Sequence, residues 1–273
     1  MKLKALKNME PWQWPESAGE LILETLVNRQ AKPADRILAA ELAGDLTVIN
    51  EKFADALLEI VGSGDEPVKL RCPAAISLGP ALEDADTVGF DDPEEAALPE
   101  PVVRRIRESF HRLFSDAGLP KEVRRSVLEA SVRMPEEWHA EAVRSAYSGK
   151  DPRWRLTAVF AMRFIEGFEE EIIEALGSRD PDTLYEAVCA AREWGIDGAW
   201  PRITQLLAYG NADKFTLIAA IEAAAAIRPD EAPDVIGNYA DSDDDDISEA
   251  TLDVLSELDQ TAGWDDSEED EEE

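Results

Sequence analysis

The apolar positions of the chain recur in a pattern about thirty residues long between residues 119 and 228. Four segments align on anchor residues that fall 31, 29 and 31 residues apart, namely Arg124, Arg155, Leu184 and Phe215. Three of these segments begin with a side chain that can cap a helix: Asp151, Asp180 and Asn211. Each continues as a helix rich in small residues, and a more amphipathic helix separates it from the next. A period of this size made of two helices predicts an α-solenoid.

An Arg-x-x-Ala core also occurs earlier in the chain, at Arg36 and Arg71, which are 35 residues apart. The next interval, from Arg71 to Arg124, is 53 residues, so about twenty residues are inserted between the second and third units. We therefore predict five segments. They are an N-terminal arm (1–16), two helix pairs (17–82), an acidic inserted loop (83–100), further helix pairs (101–260) and an acidic disordered tail (261–273).

These features resemble the HEAT-repeat family, in particular the short bacterial HEAT-like repeats that also occur in bilin-attachment lyases. The matching features are an Asp-Pro or Glu-Pro turn, a hydrophobic-Arg-x-x-small segment and, in one unit, Leu78-Gly79. The resemblance covers roughly residues 18–260. It implies an all-α, right-handed α-solenoid of about seven helix pairs, with armadillo-like helical packing. It also implies a stacked row of arginines, which should be incomplete in the later units because Leu184 and Phe215 replace arginine there.

The formal net charge of −33 is concentrated in two segments, because residues 83–100 and 240–273 together supply 25 of these charges. The first contains prolines and lacks apolar periodicity, which indicates a solvated loop. The second ends in an acidic run that we expect to be disordered. A chain of this charge repels phosphates, so we predict no nucleic-acid partner.

The charge is inverted only between residues 102 and 163, where 13 Lys or Arg residues stand against 8 Asp or Glu residues. Guanidinium groups pair with carboxylates through two parallel hydrogen bonds. We therefore predict that this segment binds an acidic segment of a protein partner through Arg124, Arg125, Arg153 and Arg155. Two alternatives stay open: these arginines bridge neighbouring repeats, or the acidic loop and tail of the chain itself fold over them.

Candidate catalytic and metal-binding residues are few. Helical-repeat hydroxylases that modify lysine bind iron through His-Glu pairs, whereas His111 is followed by Arg112 and His139 by Ala140. The two cysteines, 117 residues apart, have no metal or redox spacing and read as buried thiols. We predict no catalytic residue, no cofactor and no metal.

The first sixteen residues contain two tryptophans, Trp12 and Trp14, between prolines. We expect this arm to cap the exposed end of the first repeat, and the alternative is an aromatic docking peptide. Three early lysines are followed by Pro11 and not by the apolar segment of a signal peptide. The longest apolar stretch, residues 217–227, is too short to span a bilayer. These patterns predict a cytoplasmic protein that does not enter the membrane.

A solenoid offers an extended surface whose shape is set by packing and whose outer residues are free to vary. We therefore predict a protein-binding scaffold or adaptor with no catalytic function of its own. The alternative is a lyase-like or maturation-factor subunit that acts on a protein-bound group.

Overall fold

The computed structural model describes residues 2–90, 96–210 and 212–269, and in these residues all regular secondary structure is helical. The chain divides into two compact units, residues 1–142 and residues 143–273. Helix α9, Glu137–Ser148, contains the division between them. No helix in the described part of the chain is both long enough and apolar enough to cross a membrane.

The first unit contains eight helices before α9 within its described residues. They are α1 Leu3–Leu6, α2 Ala18–Val27, α3 Pro33–Leu42, α4 Glu51–Gly62, α5 Val68–Ile76, α6 Gly79–Val88, α7 Glu100–Ser115 and α8 Lys121–Ser131. Three pairs, α2 with α3, α4 with α5 and α7 with α8, pack side by side. Their first helices form one layer and their second helices form another, in which α3 contacts α5 and α5 contacts α8. Stacked helix pairs of this kind are the arrangement that the spacing predicted.

The second unit continues the alternation with shorter first helices. Its helices after α9 are α10 Pro152–Ala161, α11 Glu169–Ala175, α12 Pro181–Glu193, α13 Trp200–Tyr209, α14 Lys214–Ile227, α15 Ala232–Ile236 and α16 Asp245–Glu269. Helices α10, α12, α14 and α16 pack in succession, while α11 and α13 each contact the helix that follows. The predicted fold class, an all-α protein of stacked helix pairs, is confirmed.

Helix starts follow the sequence signals with one difference. The Asp151 side chain accepts a hydrogen bond from the Arg153 amide, and Asp180 accepts one from the Thr183 amide, as helix-capping residues do. The third cap is Asp213, which accepts from the amides of Phe215 and Thr216. The predicted cap Asn211 lies outside the described residues.

The two acidic segments also differ from the expectation. Helix α6 extends to Val88 and so includes the first part of the predicted loop 83–100, and residues 91–95 lie outside the described residues. Helix α16 extends to Glu269, which is within the segment that we predicted as a disordered tail. The acids of residues 270–273 are not among the described residues. The predicted segment boundaries otherwise stay a prediction.

Small residues allow the second helices of the first unit to approach closely. Ala39, Ala40, Ala74 and Ala75 on α3 and α5 are fully buried. Just beyond these helices, a Cβ added to Gly44 would lie 2.4 Å from the Ser77 carbonyl oxygen. The Ser77 hydroxyl donates a hydrogen bond of 2.6 Å to the Ala40 carbonyl oxygen, which ties the two helix ends together.

We predict that Gly44→Ala lowers the free energy of unfolding by about 1–3 kcal/mol, because the new methyl group forces two backbones apart. The matched control is Gly62→Ala at the end of α4, where an added Cβ meets nothing within 4 Å. We expect the control to be neutral or stabilising by up to about 1 kcal/mol. Urea unfolding followed by circular dichroism measures both, and equal stabilities of the two variants would contradict the prediction.

Candidate functional site

The four predicted partner-binding arginines lie in two different units. Arg124 and Arg125 are on α8 of the first unit, and Arg153 and Arg155 are on α10 of the second. Arg125 donates a hydrogen bond of 2.7 Å to Glu129, one turn later on the same helix. Arg124 is half-buried. The role of this pair in binding a partner stays a prediction.

In the second unit, Arg155 is held by two neighbours. Its Nη2 atom donates to the Tyr147 hydroxyl at 3.0 Å and to Glu174 at 2.8 Å. The guanidinium also lies 4.4 Å from the centroid of the Tyr147 ring, a cation–π distance. Arg153 is exposed, and its guanidinium has no ion pair within the described residues of the chain. Arg155 thus bridges helices, as one of the sequence alternatives proposed.

Other arginines of the basic segment also connect helices of the first unit. Arg105 on α7 donates to Asp55 on α4 at 2.6 Å, and Arg133 after α8 pairs with Glu83 on α6. Local carboxylates therefore neutralise much of the positive charge that the sequence concentrates in this segment.

A different surface of the first unit is shaped by the N-terminal arm. Leu3 and Leu6 on α1 are buried, and α1 contacts α2 and α3. The Trp14 indole N–H donates to the carbonyl oxygens of Leu6 and Met9, at 3.1 Å and 3.2 Å. Trp14 packs against the core, so this half of the arm covers the first repeat, as the capping interpretation predicts.

Trp12 behaves differently from Trp14. It lies on a single 3₁₀ turn, Pro11–Gln13, and 75% of its surface is exposed. Two adjoining cavities flank this turn, and we call them the arm clefts. The first measures about 510 Å³ and is lined by Trp12, Trp14, Glu16, Glu20, Lys52 and Phe53, among others. The second measures about 640 Å³ and is lined by Lys7, Glu10, Trp14, Glu41, Asp45 and Arg133, among others.

The arm clefts carry more unpaired negative than positive charge. Lys7 is paired with Glu41 at 3.6 Å, and Arg133 is paired with Glu83, whereas Lys52 of the first cleft has no ion pair within the described residues. The exposed carboxylates of Glu10, Glu16 and Glu20 have no ion pair within the described residues. An exposed indole beside unpaired carboxylates is an arrangement that suits a cationic group. The sequence indicated the aromatic residues here, but it did not indicate which of the two is exposed.

The histidine with the most perturbed environment, His139, has a structural role. Its Nδ1 atom accepts a hydrogen bond of 2.8 Å from the Glu136 amide, and its Nε2 atom lies 2.9 Å from the Ser131 hydroxyl. Because Glu136 immediately precedes α9, this contact is one half of a capping box, in which histidine takes the usual place of Glu or Gln. Burial lowers the pKa of His139 from 6.5 to about 4. In the part of the chain that the structure describes, no group of three or more His, Cys, Asp or Glu side chains could hold a metal ion.

Comparisons with known proteins were made for the whole chain. No protein-family model matches the sequence, and no curated protein is significantly similar to it. Among solved structures, human deoxyhypusine hydroxylase in complex with glycerol is similar to this chain, with a TM-score of 0.41 and 16% sequence identity. The match covers 94% of this chain and 88% of that chain. A HEAT-like arrangement accords with the helix pairs described above.

This comparison corrects the predicted function. We expected a scaffold or adaptor that is not an enzyme, whereas the solved structure similar to this chain is that of an enzyme. The expectation rested on the repeat architecture, and that architecture gives no reason to exclude catalysis. The similarity itself assigns no activity to the chain.

We predict that His139 makes the protein less stable in acid. The unfolded chain binds the proton near pH 6.5 and the folded chain only near pH 4, so the unfolded state binds more protons between these values. The contribution of His139 is therefore complete above pH 6.5 and is lost as the pH falls towards 4, by about 3 kcal/mol in total.

The control for this prediction is His139→Gln, which keeps a capping-box side chain but does not titrate. Urea unfolding at a series of pH values from 7 to 4.5 should give a smaller loss of stability for the variant than for the wild type. Parallel curves for the two proteins would show that His139 is not the titrating group.

Proposed function

We propose that this protein is a maturation-factor subunit that binds a basic segment of a protein substrate in the arm clefts, where it presents a protein-bound group. The observation that carries this proposal is the exposed Trp12 ring in one cleft with the unpaired carboxylates of Glu16 and Glu20, while the unpaired Glu10 lines the adjoining cleft. A lysine or arginine side chain can lie over the indole face while its charge meets the carboxylates.

The volume of the arm clefts favours a single side chain or short segment of the substrate protein as the bound group. Cavities of about 510 and 640 Å³ are in the range of small-ligand pockets and do not accommodate a folded domain. The walls belong to the packed repeat, since Phe53 and Leu6 are fully buried. A substrate protein would therefore insert an extended segment or a single side chain.

The charge of the whole chain supports the same class of partner. A net charge of −33 attracts basic proteins from a distance and repels acidic ones and nucleic acids. This attraction acts on any basic partner, whereas the arm clefts would select among them. We include in this proposal that the partner is a basic protein and that the binding takes place in the cytoplasm.

We expect Trp12→Ala to weaken the binding of a fluorescein-labelled decapeptide of alternating lysine and glycine by roughly 3- to 30-fold, the range of a cation–π contact. Fluorescence anisotropy at fixed ionic strength measures the affinity. Trp12 is 75% exposed, so its removal should leave the fold intact. The matched control is Tyr209→Ala in the second unit, where an aromatic side chain is 70% exposed and lies outside the arm clefts.

One further peptide and one combined variant separate site binding from general attraction. An alternating glutamate and glycine peptide should not displace the lysine peptide from the arm clefts, and combined replacement of Glu10, Glu16 and Glu20 by glutamine should weaken the lysine peptide further than Trp12→Ala alone. If Trp12→Ala and Tyr209→Ala bind the lysine peptide equally, the arm clefts are not the binding site.

The maturation role is tested by mass spectrometry of proteins captured by the wild type. Their basic side chains should lack a modification in cells without this protein, and identical masses in both cells would refute that role.

A further inference from the structure

Two arginines occupy equivalent positions in the first two helix pairs. Arg36 on α3 donates its Nε–H to the Leu26 carbonyl oxygen, and Arg71 on α5 donates its Nε–H to the Val61 carbonyl oxygen. Both hydrogen bonds measure 2.9 Å and reach ten residues back, to the end of the preceding helix. Both side chains are buried, with 7% and 5% of their surface exposed. Repeat packing therefore places the two guanidinium groups alike.

The first guanidinium is neutralised within the protein. The two terminal nitrogens of Arg36 donate to the two carboxylate oxygens of Glu66, at 2.7 Å and 2.9 Å. Arg29 approaches the same carboxylate at 3.5 Å. The hydrogen bond from Arg36 lowers the pKa of Glu66 below its ordinary value, so this acid is ionised when it faces Arg36. Each of the three nitrogens of the Arg36 guanidinium therefore donates to an oxygen.

The second guanidinium lacks such a partner. Glu66 immediately precedes Pro67, the N-cap of α5, and the equivalent residue before Pro120, the N-cap of α8, is Leu119. The sequence position that supplies a carboxylate to the first pair therefore holds an apolar, buried side chain in the next. Within the described residues, no carboxylate lies within ion-pair distance of Arg71, and its terminal nitrogens donate no hydrogen bond. Burial lowers the pKa of Arg71, which is the direction expected for a charge removed from water.

An arginine that is largely buried without an anion is unfavourable, because part of its charge is removed from water. The last carbonyl groups of α4 offset part of this cost. The terminal nitrogens of Arg71 are not among the buried polar atoms of the described residues that lack a hydrogen bond, so the end of the guanidinium reaches solvent. Arg71 thus has two terminal nitrogens without an acceptor among the described residues, on a side chain that is otherwise buried.

We propose that Arg71 binds a carboxylate that comes from outside this chain and reaches the solvent-accessible end of its guanidinium. Paired hydrogen bonds from the two terminal nitrogens would hold it, as they hold Glu66. The carboxylate belongs either to a free small acid or to an acidic side chain of a bound protein. This site is separate from the arm clefts, and none of the cleft-lining residues contributes to it.

The site can be tested on the wild-type protein with arginine side chains labelled with ¹⁵N. Sodium acetate is added while chloride is withdrawn at constant ionic strength, and the Nε–Hε resonances are followed by NMR. The Arg71 resonance, assigned with Arg71→Lys, should shift with saturation, whereas the Arg36 resonance should not move because its guanidinium is already paired. No shift of Arg71 with acetate or with the peptide below would mean that water, and not a carboxylate, satisfies this group.

A variant that supplies the missing acid provides the second test. Leu119→Glu should abolish the acetate-dependent shift of Arg71, because the new carboxylate occupies the guanidinium, and Leu119→Gln should retain it within about 3-fold in affinity. A decapeptide of alternating glutamate and glycine distinguishes the two sources. Tighter binding of the peptide than of acetate, by about 10-fold or more, indicates a protein side chain, and equal binding indicates a free small acid.

The outcome is independent of the proposed function. Arg71→Lys should leave the binding of the lysine peptide to the arm clefts unchanged, whereas Trp12→Ala should leave the acetate response of Arg71 unchanged. If acetate shifts Arg36 and Arg71 equally, the effect is a general response to the anion and the site at Arg71 is refuted.

Discussion

Close approach of the second helices in successive pairs is the constraint on which the first unit depends. A helix pair cannot bury its apolar face alone, so it must stack on the next pair. The stacking is close because Ala40 and Ala75 present only methyl groups and because Gly44 lies against the Ser77 backbone without a side chain. Such proximity brings the end of one helix near the start of the next. The arginine contacts to carbonyl groups ten residues earlier lie within each pair, from α3 to α2 and from α5 to α4, and they fix the two helices of a pair to each other.

Periodicity allowed the helix pairs to be predicted because their signals are local. An Asp followed by Pro marks the starts of α10 and α12, and Asp151 and Asp180 cap them as expected. The start of α14 was misplaced by two residues, because Asn211 and Asp213 are both suitable caps and only the position of the whole helix decides between them. The extent of α6 was missed for a related reason, since acidic residues favour solvent without excluding a helix.

The charges of the candidate site could be counted from the sequence, but their partners could not. Arg125 pairs with Glu129, which lies one helical turn away and is predictable, whereas Arg155 pairs with Glu174, which depends on how α10 packs on α11. A count of arginines and lysines along the sequence therefore indicates a basic surface, although many of these side chains are neutralised by ion pairs in the folded protein. Arg71 shows the converse case. The replacement of glutamate by Leu119 before the proline was visible in the aligned repeats, but its importance depends on burial, which only the fold provides.

Burial also explains how one acidic chain can offer sites for groups of opposite charge. At the exposed arm clefts, the acidic residues of the rest of the chain add to the electric field of the nearby carboxylates. Salt screens this field over about 8–10 Å. A basic segment is thus attracted there in proportion to the net charge. At Arg71, low exposure replaces water by a medium in which the nearest charge dominates, and the distant carboxylates act weakly compared with a paired anion. The net charge of −33 therefore determines which proteins approach the surface, while local burial determines what a single guanidinium can hold.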